Sequence, residues 1–148
     1  MIIVVQRCSR AQVSVNNEII SQIKSGLMLL VGINKGDEFL DADKAVDKVI
    51  NLRIFNDEKD KMNLSVLDTK GSLMVVSQFT LCADIKKGRR PSFINAENPD
   101  KGLLIYKHMI SRLRDKSINT VTGKFGAMMD IELINEGPAT FIINSNEL

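Results

Sequence analysis

Tryptophan is absent from the 148 residues; histidine and tyrosine occur once each, cysteine twice and proline three times. With His108 the sole imidazole and no C-x-x-C spacing around Cys8 or Cys82, there is no zinc pattern. The two cysteines read as reduced core thiols of a cytoplasmic protein. The sharper alternative, a nucleophilic Cys82, lacks an evident base to activate it. No apolar run approaches the length of a membrane span. The first residues, MIIVVQRCSR, carry no basic segment ahead of their apolar stretch, so they read as a first strand and not as a signal peptide. Net charge is only +2, which excludes a generally polycationic surface; any contact with nucleic acid has to come from local clustering. A chain of this length reads as one domain, residues 1–148, burying roughly 70% of its unfolded surface.

What is present starts with Leu73 to Ala83, LMVVSQFTLCA. Leu73 to Val76 suit a strand buried on both faces. Ser77, Gln78 and Thr80 then bring hydrogen-bonding groups that are either satisfied internally or shown at the rim of the fold. Upstream, Ile2 to Val5, Ala11 to Val15 and Glu18 to Ile23 read as strands, with a turn at Asn16-Asn17. They form a meander feeding a fully apolar strand, Leu27 to Ile33. Asp37 is placed to cap a helix from about Glu38 to Asn51, whose apolar face is Phe39, Ala42, Val46, Val49 and Ile50. A second helix, opened by Pro99, runs to about Lys116 with a stripe of Leu103, Tyr106, Met109, Ile110 and Leu113. His108 falls on its opposite, exposed side, which undercuts a serine–histidine triad built on Ser77 or Ser92.

Two further stretches carry chemistry. Lys86, Lys87, Arg89 and Arg90 surround Gly88 in an irregular loop, either as a solvated charge run or as phosphate contacts. Gly137-Pro138 lies between two expected strands, Met128 to Ile134 and Ala139 to Asn144, where a proline belongs at a turn or edge. X-Pro is also the bond for which the cis form is accessible, and a cis bond would turn neighbouring carbonyls the same way. An ordinary hairpin turn is the plainer reading.

SQFTLCA (Ser77 to Ala83) and NEGPAT (Asn135 to Thr140) resemble the two signature motifs of the D-aminoacyl-tRNA deacylases. MIIVVQRCSRAQVSV, LRIFND, KMNLSV, GRRPSF and TGKFGAMM extend the resemblance over essentially the whole chain. Cys82 departs from the alanine frequent there. The resemblance implies an α/β fold in which mixed β-sheets form a barrel-like core flanked by helices, assembled as a two-fold homodimer. It implies hydrolysis of the ester between a D-amino acid and the 3′-terminal adenosine of tRNA, a chiral proofreading that rejects L-aminoacyl-tRNA and uses no metal or cofactor. Each active site would join the SQFTL strand end of one subunit to a cis Gly137-Pro138 of the other.

By the same resemblance, Ser77, Gln78, Phe79 and Thr80 form the catalytic set, with main-chain amides near Gln78 and Phe79 facing the scissile carbonyl. Leu81, Asn135, Gly137, Pro138, Thr140, Arg7, Phe125 and Met129 belong to substrate binding, Arg7 by fixing the orientation of the Gly-Pro segment. Lys86, Lys87, Arg89 and Arg90 are the expected tRNA contacts. The carbonyls of Gly137 and Pro138 would accept from the substrate ammonium and block an L side chain, so glycine, having none, would also be released. One rival is a non-catalytic tRNA-binding dimer that uses the basic loop alone. The other is a small-molecule esterase with a serine or cysteine nucleophile.

Overall fold

β1 (Ile2–Val15) is one continuous strand, not the two segments expected from its sequence. The computed structural model describes residues 1–148; β1 stays extended because it has strand partners along its whole length. β2 (Glu18–Ile23) pairs antiparallel with Ala11 to Val15, and β3 (Gly26–Gly32) pairs antiparallel with Ile2 to Cys8. β3 continues from β2 along the same edge of β1 in one register, Ala11 opposite Ile23 and Cys8 opposite Gly26, so the first third of the chain is one long hairpin and not a meander. The last long strand, β8 (Asp130–Asn144), runs antiparallel along the remaining edge of β1.

Beyond β3 the sheet continues in parallel with β6 (Ser72–Ser77) and then β7 (Thr120–Thr122). β2 also approaches β6 and β7, which curls this mixed sheet toward a barrel. β4 (Phe55–Asn56) and β5 (Met62–Leu64) make a small separate ribbon. Two helices, α1 (Phe39–Asn51) and α2 (Pro99–Asp115), pack against each other. The expected α/β class and barrel-like core are therefore observed.

The unbroken apolar runs of β3 and β6 follow from burial on both faces. Leu27, Leu29, Val31, Leu73 and Val75 enter the main core with α1 and α2, whereas Met28, Met74 and Val76 enter a smaller core with Cys8, Ala11, Val13 and Ile23. Alternation along each strand thus sorts side chains between two cores.

At the start of α1 the expected capping residue does something else. Asp37 is buried and accepts from the Met1 ammonium at 2.6 Å and from the Asn34 amide at 2.6 Å, while Ser145 Oγ takes a second ammonium proton at 2.8 Å. The cap position falls one residue later, at Glu38, whose amide donates to the Asp41 carboxylate. Pro99 sits in the first turn of α2 as expected, and Asn98, not among the expected caps, caps it through Oδ1 accepting from the Asp100 amide.

Two side chains of the helix pair also differ from expectation. Phe39 is 48% exposed, and its ring lies 4.8 Å from that of His108. His108 is only partly exposed and sits 2.9 Å from Asp43 Oδ1, which also accepts from Arg112 at 2.9 Å. The His108 hydrogen bond, followed by that of Arg112, holds the Asp43 carboxyl below its usual range. The lone histidine thus ties α2 to α1 and does not reach Ser77 or Ser92.

Candidate active site

β6 carries the chain into the site. The Gln78 amide extends the sheet by donating to the Val31 carbonyl at 2.7 Å, after which Phe79–Cys82 turn as a short 3₁₀ helix. That turn lies directly over Gly32. A Cβ there would come within 2.9 Å of Leu81 Cβ and 3.0 Å of the Gln78 carbonyl, so β3 admits the turn because this position has no side chain. Leu81 and Ala83 donate back to the carbonyls of Gln78 and Thr80 at 3.2 and 3.1 Å. Phe79 and Thr80 precede the first of these bonds, and their amides have no partner within the turn.

The expected pair of open amides, near Gln78 and Phe79, therefore shifts by one residue. Gln78 uses its amide in the sheet, leaving those of Phe79 and Thr80. The Gln78 side-chain amide donates to the Thr80 hydroxyl. The Phe79 ring is 58% exposed and meets Phe93 edge-on at 5.0 Å.

A cavity of about 530 Å³ opens beside this turn. Ser77, Gln78 and Phe79 form one side, Phe125 and Met129 another, and Val31 and Ile33 the sheet-side wall. Met129 is fixed in part by the Lys124 amide, which donates to its sulfur at 3.3 Å. Thr80 and Leu81 stand outside the lining, Leu81 because it packs on Gly32. Glu97 and Gly102, on the α2 side, join the wall without any signal in the sequence that could have marked them. Glu97 accepts from the Asn98 amide at 2.8 Å and from the Gly36 amide at 3.1 Å, and these two bonds keep its carboxyl below the usual range.

The second motif lies elsewhere on the chain. Gln6 pairs with Thr140 and Cys8 with Asn135, so Glu136 to Ala139 all stand opposite the single residue Arg7. Gly137-Pro138 is thus a bulge inside one long strand, not a turn between two, and its bond is cis. Ala139 is buried, whereas Asn135, Gly137, Pro138 and Thr140 are exposed, with the Thr140 hydroxyl 3.5 Å from Asn135 Oδ1. None of these four lines the cavity, nor does Arg7.

Arg7 holds the bulge from behind. Only 3% exposed, it donates to the carbonyls of Glu136 (3.3 Å), Gly137 (3.4 Å) and Ile54 (2.5 Å) and to Asn56 Oδ1 (3.1 Å). One acceptor direction of the Gly137 oxygen is therefore taken. A lysine cannot fork over four acceptors. Arg7→Lys is expected to lower unfolding stability by about 1–3 kcal/mol through the carbonyls it strands, as measured by urea denaturation.

The basic loop is held at its neck by reciprocal bonds between Asp84 and Ser92, at 2.8 and 2.9 Å. Lys86, Lys87, Arg89 and Arg90 are all exposed around Gly88, which has a φ of +73°, and none forms an ion pair. They lie outside the cavity. The loop reaches it only through Phe93, the partner of the Phe79 ring.

Neither cysteine is primed as a nucleophile. Both are buried, and burial pushes the Cys8 thiol up to about 11 and raises that of Cys82. A disulfide reagent at pH 8 is expected to leave both thiols unmodified in the native protein and to label both after denaturation. Rapid native labelling of Cys82 would revive the thiol esterase.

The family model described as D-Tyr-tRNA(Tyr) deacylase matches residues 4–144. The chain belongs to this family. It is 54% identical to a D-aminoacyl-tRNA deacylase of Geobacillus sp. (strain WCH70), covering 99% of this chain and 97% of that protein. It is 48% identical to a D-aminoacyl-tRNA deacylase of Syntrophus aciditrophicus (strain SB), covering 98% and 97%. Among solved structures it is similar to one titled c-Myc DNA Unwinding Element Binding Protein, with a TM-score of 0.91 at 36% identity over 97% of this chain and 98% of that one. A probable eukaryotic D-amino acid tRNA deacylase shares the fold, with a TM-score of 0.79 at 17% identity over 96% and 98%.

Proposed function

We propose that this member of the deacylase family hydrolyses the ester linking a D-amino acid to the 3′-terminal adenosine of tRNA, and that two copies of the chain build each active site. The family match and the near full-length identity to D-aminoacyl-tRNA deacylases support the reaction. One observation carries the assembly. The cavity beside Ser77–Phe79 and the Gly137-Pro138 bulge belong to one chain but do not share one pocket. A two-fold partner can bring its bulge to the open side of this cavity, and by symmetry receive the same in return.

In that arrangement the open amides of Phe79 and Thr80 stabilise the oxyanion formed when the ester carbonyl is attacked. No side chain near them is a strong base, so the attacking water is activated by the substrate's own ribose hydroxyl, with Thr80 orienting the ester. The partner's bulge presents the Gly137 and Pro138 carbonyls to the ammonium of the amino acid. A D side chain then points away from the bulge, an L side chain points into it, and glycine offers nothing to exclude. Lys86, Lys87, Arg89 and Arg90 contact phosphates of the acceptor stem.

Hydrolysis of matched D-aminoacyl-, L-aminoacyl- and glycyl-tRNA tests the reading. The D and glycyl esters are expected to be cleaved and the L ester spared. Equal cleavage of D and L forms, or binding of tRNA without turnover, would overturn it.

A further inference from the structure

A second groove, of about 700 Å³, begins where the active-site cavity ends. Phe125 is the wall they share. Its ring rests on α2 beside Gly102, where a Cβ would lie 3.9 Å away, and 5.5 Å from the ring of Tyr106. Gly102 faces the cavity and Tyr106 faces the groove, so the phenyl ring straddles the passage between them.

The two ends of this passage differ in charge. On the α2 N-terminal side the cavity is bounded by Glu97, kept ionised by two amides, with Glu38 bridged to it through Lys101. Beyond Phe125 the groove floor is apolar, formed by Leu103 and Ile110, and its sides carry Lys107 and Arg114. Asp115 is the one acidic residue there. Exposed Lys124 immediately precedes Phe125 in the chain. Arg114 is partly engaged with the Thr120 carbonyl at 3.4 Å, whereas Lys107 and Lys124 make no ion pair.

We infer that this groove takes the unpaired nucleotides immediately preceding the terminal adenosine of the tRNA substrate, and that Lys107 and Lys124 hold their phosphates. The inference rests on the deacylase reading and takes the adjoining cavity, beside the Phe79 and Thr80 amides, as the seat of that adenosine. A polyanionic strand leaving the cavity is repelled at the Glu97 end and attracted at the Phe125 end. An apolar floor with an aromatic wall and flanking cations suits single-stranded nucleotides, whose bases stack while their phosphates meet the charges. The exposed 86–90 loop has no such floor, which suits the more distant duplex stem.

Three D-aminoacyl esters separate these roles: of adenosine, of a trinucleotide ending in adenosine, and of full tRNA. For the double variant Lys107→Glu/Lys124→Glu, kcat/KM on the trinucleotide relative to the adenosine ester is expected to fall about tenfold, with a salt dependence shallower by roughly 0.7 for each phosphate no longer held. Reversing Lys86 and Lys87 is expected to lower the tRNA rate and leave the trinucleotide-to-adenosine ratio as in wild type. An unchanged ratio in the groove variant, or a reduced ratio in the loop variant instead, would overturn the inference. Absence of wild-type turnover on all three esters would instead refute the deacylase reading. Deacylated trinucleotide binding would then decide the groove alone, since undiminished affinity in the double variant would exclude it.

Discussion

Phe79→Pro is expected to lower kcat on D-aminoacyl-tRNA by about a hundred- to a thousandfold, the usual consequence of deleting one oxyanion donor. The substitution removes the Phe79 amide at the first position of the 3₁₀ turn, where no bond inside the turn depends on it. Gln78 just before it, at φ −144° and ψ 78°, is already outside the helical region that a following proline disfavours. The ring is lost as well, along with its packing on Phe93. Phe79→Ala provides the control, because it loses the ring and keeps the amide. Steady-state kinetics on both variants isolate the donor: a wide gap between them in kcat assigns the effect to the amide. Equal activity of the two, with unchanged melting temperatures, would exclude an oxyanion role for this position.

Gly137→Ala is expected to lower the D-ester rate by about a hundredfold, of the order produced by ångström-scale displacement of a bound substrate, while the fold is retained. The added methyl would meet no neighbour closer than Asn135 Nδ2 at 3.8 Å, and the position is exposed. Within one chain nothing is there to be obstructed. Only if a partner's substrate approaches this bulge does the methyl enter space that the amino group needs. Thermal melting and kcat/KM, measured together, check this. Wild-type activity with wild-type stability would mean that the bulge faces solvent throughout the reaction.

Much of the fold was legible in the sequence wherever local pattern and tertiary demand agreed. Leu73 to Val76 reads as a strand covered on both faces and is one, and Pro99 opens α2 as its fixed φ suggests. Failures came where a distant partner decided the outcome. Asp37 has the composition of a helix cap, but a buried ammonium contributed by Met1 claims it. Asn135 to Pro138 has the residues of a hairpin turn, yet β1 runs past it uninterrupted and makes it a bulge.

The site divides the same way. Ser77, Gln78, Phe79, Phe125 and Met129 line one cavity. The open amide was misplaced by one residue because the sheet bond from Gln78 to Val31 depends on strand register, which no local motif specifies. Glu97 went unmarked because one of its two donors, the Gly36 amide, is far away in the sequence and is brought near only by folding. Gly32 is visible in the sequence as a strand end, but its role in admitting the 3₁₀ turn appears only in three dimensions.

Co-refolding equal amounts of the Phe79→Pro and Gly137→Ala chains tests cross-subunit assembly most directly. If each site takes its turn from one copy and its bulge from the other, every mixed dimer holds one site free of both lesions. Random pairing then restores roughly a quarter of the wild-type rate from two nearly inactive parents. Activity no greater than the mean of the parents, in a mixture shown to contain mixed dimers, would contradict a shared site.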